Sequence, residues 1–222
     1  MEPRELCIYC RTATADTCDH VPPECLFPDD KRVNLVTVPA CRQCNQQYAR
    51  DDEYFRFAVV APAYDHNEAA RQLWDEKIVR AVKRRPRLRA AIIKTLARVE
   101  VRTPAGLYLG TAPAFRLETG RVRRVVERIV RGLLWHHFKT VPTVETEANT
   151  YIDPDVQPVL NILTNDLRLA GIGGDVFRYR YGRASDGPDY SMWWLCFYTR
   201  TTFLTILGPP DGQETRDRRA IL

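Results

Sequence analysis

Two cysteine pairs constrain this chain more than any other feature: Cys7-x2-Cys10 and Cys41-x2-Cys44. A C-x2-C turn puts two sulfurs on one side of a metal, and a second such turn completes a tetrahedral Zn–S4 site. The stretch from Arg11 to Ala40 then becomes a long loop held at both ends by the staple. Sulfur fills all four positions and leaves none for a substrate, so the expected zinc is structural. A redox C-x2-C calls for a βαβ context, which the flanking residues do not offer. The first residues, MEPREL, are charged and no apolar run follows them, so no secretory leader is expected. Nor does any stretch approach the ~20 apolar residues of a membrane span. The expectation is a cytoplasmic chain without a membrane partner, where paired cysteines serve metals more often than disulfides. With 222 residues, 45% of them hydrophobic, one large domain or two small ones with a real core are within reach. That composition excludes a fibrous or wholly disordered protein.

Periodicity divides the rest into a helical middle and a strand-forming end. Tyr48, Phe55 and Val59 recur at helical spacing from Gln46 to Val60, and Pro62 stops the run. A second helical region spans Asn67 to Val99, interrupted at Pro86. LYLGTAPAFRLE reads as short strands. RVRRVVERIVRGLLWHHF is an amphipathic helix whose stripe is Val122, Val125, Val126, Ile129, Leu133 and Leu134, with Arg124, Arg128 and Arg131 away from its centre. A shorter helix is expected over 156–169, ending near Gly171, Gly173 and Gly174. Phe177, Tyr179 and Tyr181 then alternate with Arg178 and Arg180, the period of a half-buried strand. SDGPD makes a turn, SMWWLCFYT and TTFLTIL are further strands, and DGQETRDRRAIL is a polar tail. Together they form a small antiparallel meander. The fold class is therefore α+β, with a zinc-stapled module over 1–62. Residues 63–222 form an α+β domain serving DNA binding, dimerisation or regulation.

Between the zinc knuckles lie Cys18-Asp19-His20-Val21-Pro22-Pro23, then Asn34-Leu35-Val36, then Pro39-Ala40-Cys41-Arg42-Gln43-Cys44-Asn45. In that order these residues resemble the HNH, or ββα-metal (His-Me finger), endonuclease family, nearest to its zinc-bound, endonuclease VII-like branch. The resemblance covers residues 5–56, about a quarter of the chain. It implies a metal-dependent endonuclease that hydrolyses phosphodiester bonds of DNA. His20 becomes the general base, apt because imidazole titrates near ~6.5. Asp19 and Asn45 become ligands of a catalytic ion, and Asn34 braces the loop and orients His20. One carboxylate and one amide oxygen are hard, sparse ligands, which suits Mg2+ or Mn2+ beside the structural Zn2+. Where the wider family often ends in histidine this chain has Asn45, with Glu53 a remote further ligand. Neighbours on a strand face opposite ways, so Asp19 and His20 would straddle one phosphate only if the strand ended at His20, at the break that Pro22 and Pro23 supply.

Charge points to the same partner. Residues 61–140 carry 18 basic against 7 acidic side chains, while the segments on either side each carry a small acidic excess. An acidic nuclease module would repel DNA, so the arginine-rich middle is the expected supplier of phosphate contacts. Its candidates are Lys83, Arg84, Arg85, Arg87, Arg89, Arg121, Arg123, Arg124 and Arg128, joined by Lys31, Arg32, Arg42 and Arg50 of the module. A protein partner or RNA remains an alternative user of that surface. The alternative function is a zinc-bound nucleic-acid-binding or regulatory module without catalysis, and a homodimer or regulatory partner would suit a nuclease of defence or of a mobile element. Cys18, Cys25 and Cys196 read as small apolar packing, Trp193 and Trp194 as sheet core, and His136 and His137 as a helix-end surface.

Overall fold

In the computed structural model, which describes residues 5–143, 146–153, 167–184 and 190–209, the chain is mixed α and β with its strands in small antiparallel sheets. The first sheet is a hairpin of β1 (Thr17–Val21) and β2 (Val36–Ala40), pairing Asp19 with Val38 and His20 with Thr37. Valines at alternate positions (Val21, Val36 and Val38) bury one face, as period two requires. Helix α1 (Arg42–Gln47) follows directly, capped by the Cys41 sulfur, which accepts from the Cys44 amide at 3.5 Å. Tyr48 separates it from α2 (Ala49–Val60), which buries Tyr54, Phe55, Val59 and Val60.

The second helical region is jointed. Helix α3 (Glu68–Leu73) is capped by Asn67, whose side-chain oxygen accepts from the Ala70 amide at 3.0 Å. A π turn over Trp74–Ile78 leads into α4 (Val79–Arg84). Pro86 opens α5 (Pro86–Thr95), where its missing N–H costs nothing. The helix expected as far as Val99 ends at Thr95. From Leu96 the chain becomes β3 (Leu96–Arg102), paired with β4 (Tyr108–Phe115). Val99 and Val101 favour the extended form once a partner strand is present, and Gly106 turns the hairpin at φ +86°. All of β3 is exposed.

Helix α6 (Thr119–Phe138) lies centrally. Its expected stripe, from Val122 to Leu134, is buried throughout. One flank beside the stripe is covered as well, because Gly132 lies against β1: a Cβ there would come within 2.6 Å of the Val21 side chain. The second sheet holds β5 (Glu147–Ile152), β6 (Arg168–Ile172), β7 (Phe177–Arg183), β8 (Ser191–Phe197) and β9 (Thr201–Gly208), in the order β5-β9-β8-β7-β6. The expected meander is β7-β8-β9, and two unforeseen strands flank it. Arg168 and Leu169, expected at a helix end, belong to β6 opposite Tyr181 and Arg180; the body of that helix, the SDGPD turn and the tail lie outside the described residues.

One apolar core joins these parts. Phe55 of α2 meets Phe197 edge-on at 5.3 Å and Phe203 at 5.7 Å. Trp193 is buried, stacked on Tyr181 with ring centroids 5.4 Å apart, while Trp194 is half-buried. Tyr198, at the β8–β9 turn, donates its hydroxyl to the Leu26 carbonyl at 2.5 Å and ties the loop after β1 to the far sheet.

Candidate metal centre and its surroundings

The four paired cysteines converge. The sulfurs of Cys7, Cys10, Cys41 and Cys44 all lie within 4.8 Å of one another, with Cys10 and Cys41 3.9 Å apart. Tetrahedral Zn–S bonds of about 2.3 Å would set the sulfurs about 3.8 Å apart, so the cluster has the size of a zinc site. The knuckle turns itself: the Arg11 amide donates to the Cys7 carbonyl at 2.9 Å, and Arg11 takes the left-handed conformation at φ +59°. The thiols differ in acidity. Hydrogen bonds with Thr12 and the backbone of residues 12 and 13 lower Cys10 to about 6, whereas burial and its sulfur neighbours push Cys44 up. Four thiolates at this spacing repel one another, and a central dication is what allows all four to ionise together.

Asp19 and His20 leave β1 on opposite sides. The strand continues through Val21, paired with Val36, so the expected end at His20 comes one residue later. Asp19 is 5% exposed: its Oδ2 accepts from the Tyr9 hydroxyl at 2.7 Å and lies 3.5 Å from Nε of Arg128. His20 is half-buried on the outer side, its Nδ1 4.0 Å from the Glu24 carboxylate. Glu24 in turn holds Arg32 at 3.1 Å. Asn45, in α1, donates through Nδ2 to Thr17 Oγ1 at 3.3 Å and to the Cys18 carbonyl at 3.1 Å. It therefore clips the helix to β1 beside Asp19. Asn34 is exposed at φ +56°, with no side-chain hydrogen bond among the described residues, so its local role is the turn before β2 rather than contact with His20. Glu53, the remote further ligand, is engaged by Arg85 and lies 4.0 Å from Arg56.

The arginines expected on a DNA-facing surface fall into two sets. Arg128 is corrected outright: at 4% exposure it is a core cation, paired through Nη2 with both Asp52 oxygens at 2.9 Å and lying over the Tyr48 ring at 4.9 Å. Its position away from the apolar stripe does not expose it, because that side of α6 packs against the zinc-stapled segment. Arg121 and Arg124 both grip Asp51, at 2.7 and 2.8 Å, and Arg131 grips Glu127 at 2.9 Å. Arg32 is braced by Glu24, Asp29 and the Phe27 carbonyl, and Arg42 sits beside Asp16. Arg85 pairs with Glu53. Arg50, Arg84 and Arg87 are exposed and no carboxylate pairs with them among the described residues, and the same holds for Lys83, Arg89 and Arg123; Lys31 is half-buried and likewise unpaired.

Several participants were not legible. Tyr9, Asp52 and Arg128 form one network with Asp19, and their only sequence signal is Tyr9 between the two knuckle cysteines. Burial raises Asp52 to about 6 against the opposing pull of Arg128. Arg128 Nη1 is buried with no hydrogen-bond partner among the described residues, and the Arg128 side chain lines a recess of about 230 Å³ with Tyr9 and Tyr48. His137 does not form a helix-end surface: Nε2 lies 2.9 Å from the Tyr179 hydroxyl, the ring stacks on Tyr181 at 4.0 Å, and burial lowers it to about 4. Cys18 is exposed rather than packed, whereas Cys25 and Cys196 pack as expected, burial pushing Cys25 up to about 12. No helix among the described residues is long and apolar enough to cross a membrane. Comparisons with family models, curated proteins and solved structures find no match to this chain.

Proposed function

We propose that this chain is an HNH-type, metal-dependent endonuclease that hydrolyses phosphodiester bonds of DNA. The observation that carries the reading is the order β1, β2, α1 on a four-cysteine cluster, with Asn45 of the helix bonded to the strand that bears Asp19 and His20. Four sulfurs with no open position suit a structural Zn2+ rather than the reacting ion. Asp19 and Asn45 would hold a Mg2+ or Mn2+ ion, which when bound supplies positive charge to the leaving oxygen. The donor set fits such an ion: among the described residues Asn45 uses only its Nδ2 and Asp19 only its Oδ2 in hydrogen bonds, which leaves one oxygen on each. The charge fits too. Two carboxylates, Asp19 and Asp52, face the single guanidinium of Arg128.

His20 takes the proton of the attacking water as its oxygen bonds to phosphorus and the ester P–O bond breaks. Because His20 and Asp19 leave opposite faces of β1, the substrate phosphate is reached across the edge of the strand. The test is nicking of supercoiled plasmid with Mg2+, Mn2+ or neither, comparing wild type with His20→Ala and Asp19→Asn. We expect nicking only with added metal and at least a hundredfold loss in His20→Ala, the scale of a general base. Equal nicking by wild type and His20→Ala would remove His20 from the mechanism.

One observation favours the second reading, a zinc-bound nucleic-acid-binding module without catalysis. Arg128 and Tyr9 already satisfy Asp19, so its burial needs no metal to be tolerated. Metal-independent DNA binding with no nicking by any form of the protein would select it.

A further inference from the structure

Four of the unpaired cations, Arg50, Arg80, Arg84 and Arg87, gather in one place. Two adjoining depressions of about 420 and 660 Å³ run over α2, α4 and α5 and share Glu53, Arg84 and Arg85. Arg80 lines the first, Arg50 and Arg87 line the second, and Arg84 belongs to both. All four are exposed and none has a carboxylate partner among the described residues. The acids of the trough are Glu53, engaged by Arg85 and near Arg56, and Glu76. The positive charge here is therefore left uncompensated, unlike that of α6. Beneath the guanidinium groups the floor is apolar, with Leu88, Pro86 and Ala91 in the larger depression. Strong like charges along an open trough raise the local potential and attract an anion. A small anion would need enclosure and converging buried donors. Exposed guanidinium groups spaced along a groove match a chain of phosphates instead.

The position of the trough relates it to the proposed reaction. One end is lined by Cys25, the residue after Glu24, whose carboxylate lies beside His20. Helix α2, which carries Arg50 along one wall, follows the helix that carries Asn45. We infer that this trough seats the phosphodiester backbone of one DNA strand as it leaves His20, with Arg50, Arg80, Arg84 and Arg87 as its phosphate contacts. The inference rests on the nuclease reading for its direction, not for the existence of binding.

The test measures fluorescence anisotropy of a labelled DNA duplex with the zinc-loaded full chain, without added magnesium, over a series of salt concentrations. Wild type is compared with Arg80→Gln/Arg84→Gln/Arg87→Gln and with Arg98→Gln/Arg123→Gln, two exposed arginines outside the trough. Zinc content and thermal midpoint are measured on each protein to show that it is folded. Each lost phosphate contact should take about 0.9 from the slope of log affinity against log salt, about 2.7 for the triple variant, with little change in the control pair. An unchanged slope in the triple variant overturns the inference, as does an equal loss in the control pair or loss confined to an RNA duplex. Failure of the nuclease reading looks different: plasmid stays uncut, or His20→Ala cuts as well as wild type, while the salt slopes still separate the variants.

Discussion

The arginines of α6 and those of the α4–α5 corner come from the same basic segment and have opposite fates. On α6, Arg121 and Arg124 share Asp51, Arg128 holds Asp52 and lies near Asp19, and Arg131 holds Glu127. Apart from the exposed Arg123, the cations of α6 are held by internal partners, and Arg121, Arg124 and Arg128 join the helix to α2 and β1. At the corner, Arg80, Arg84 and Arg87 are exposed and pair with no carboxylate among the described residues. Identical side chains thus serve cohesion in one region and are left free for an external anion in the other. Net charge of a segment says nothing about which, because it counts residues rather than partners.

The comparison breaks most sharply at Arg128. Replacing it with Met keeps most of the packing but leaves Asp19 and Asp52 buried without their cation, and we expect a loss of about 3–5 kcal/mol in urea unfolding. A loss below about 1 kcal/mol would mean that α6 is no more tied by its charges than the corner is.

The same variant sharpens the comparison through pH. Burial raises Asp52 to about 6 in the native state, above its unfolded value, so the stability from keeping it neutral is present at low pH and lost as pH rises through about 6. Arg128 opposes that rise by favouring the charged form. Without it the native-state value climbs further, so Arg128→Met should suffer more at pH 8 than at pH 5. Thermal midpoints of wild type and variant at the two values check this; a gap that is constant, or wider at pH 5, contradicts it.

The smallest effect belongs to the corner. Arg84→Gln/Arg87→Gln should move unfolding free energy by no more than about 0.5 kcal/mol, as exposed substitutions usually do. A larger loss would show hidden structural work there and blur the distinction between the regions.

How much of this was legible varies with the range of the interaction. The zinc knuckles, the α6 stripe and the β7-β8-β9 meander follow from spacing and period, which are local properties. Leu96–Val99 reads as more helix because a residue such as Val99 can sit in either form, and only pairing with β4 decides. Leu169 reads as a helix end until β7 offers Arg180 opposite it. At the candidate site, Asp19, His20, Asn34 and Asn45 were named from their motif. Asn34 serves a turn, Tyr9 and Asp52 are not among the expected site residues, and Arg128, expected on a DNA-facing surface, is a core cation. Their partners lie ten, thirty-three and seventy-six residues away, measured as Tyr9 to Asp19, Asp19 to Asp52, and Asp52 to Arg128.

By itself the sequence determined that four sulfurs would gather, that a strand would carry Asp19 and His20 to opposite sides, and that α6 would bury its valines. Those outcomes depend on covalent spacing and on the 2.0 and 3.6 periods of the backbone. Only the tertiary structure decided that a second flank of α6 would be buried, with Gly132 against Val21 and Arg128 against Asp52, while Arg123 and Arg124 stay exposed. A charge on an open helix face stays in water; one that packing buries, as at Arg128, must be paired, because a lone buried charge costs far more than the packing returns.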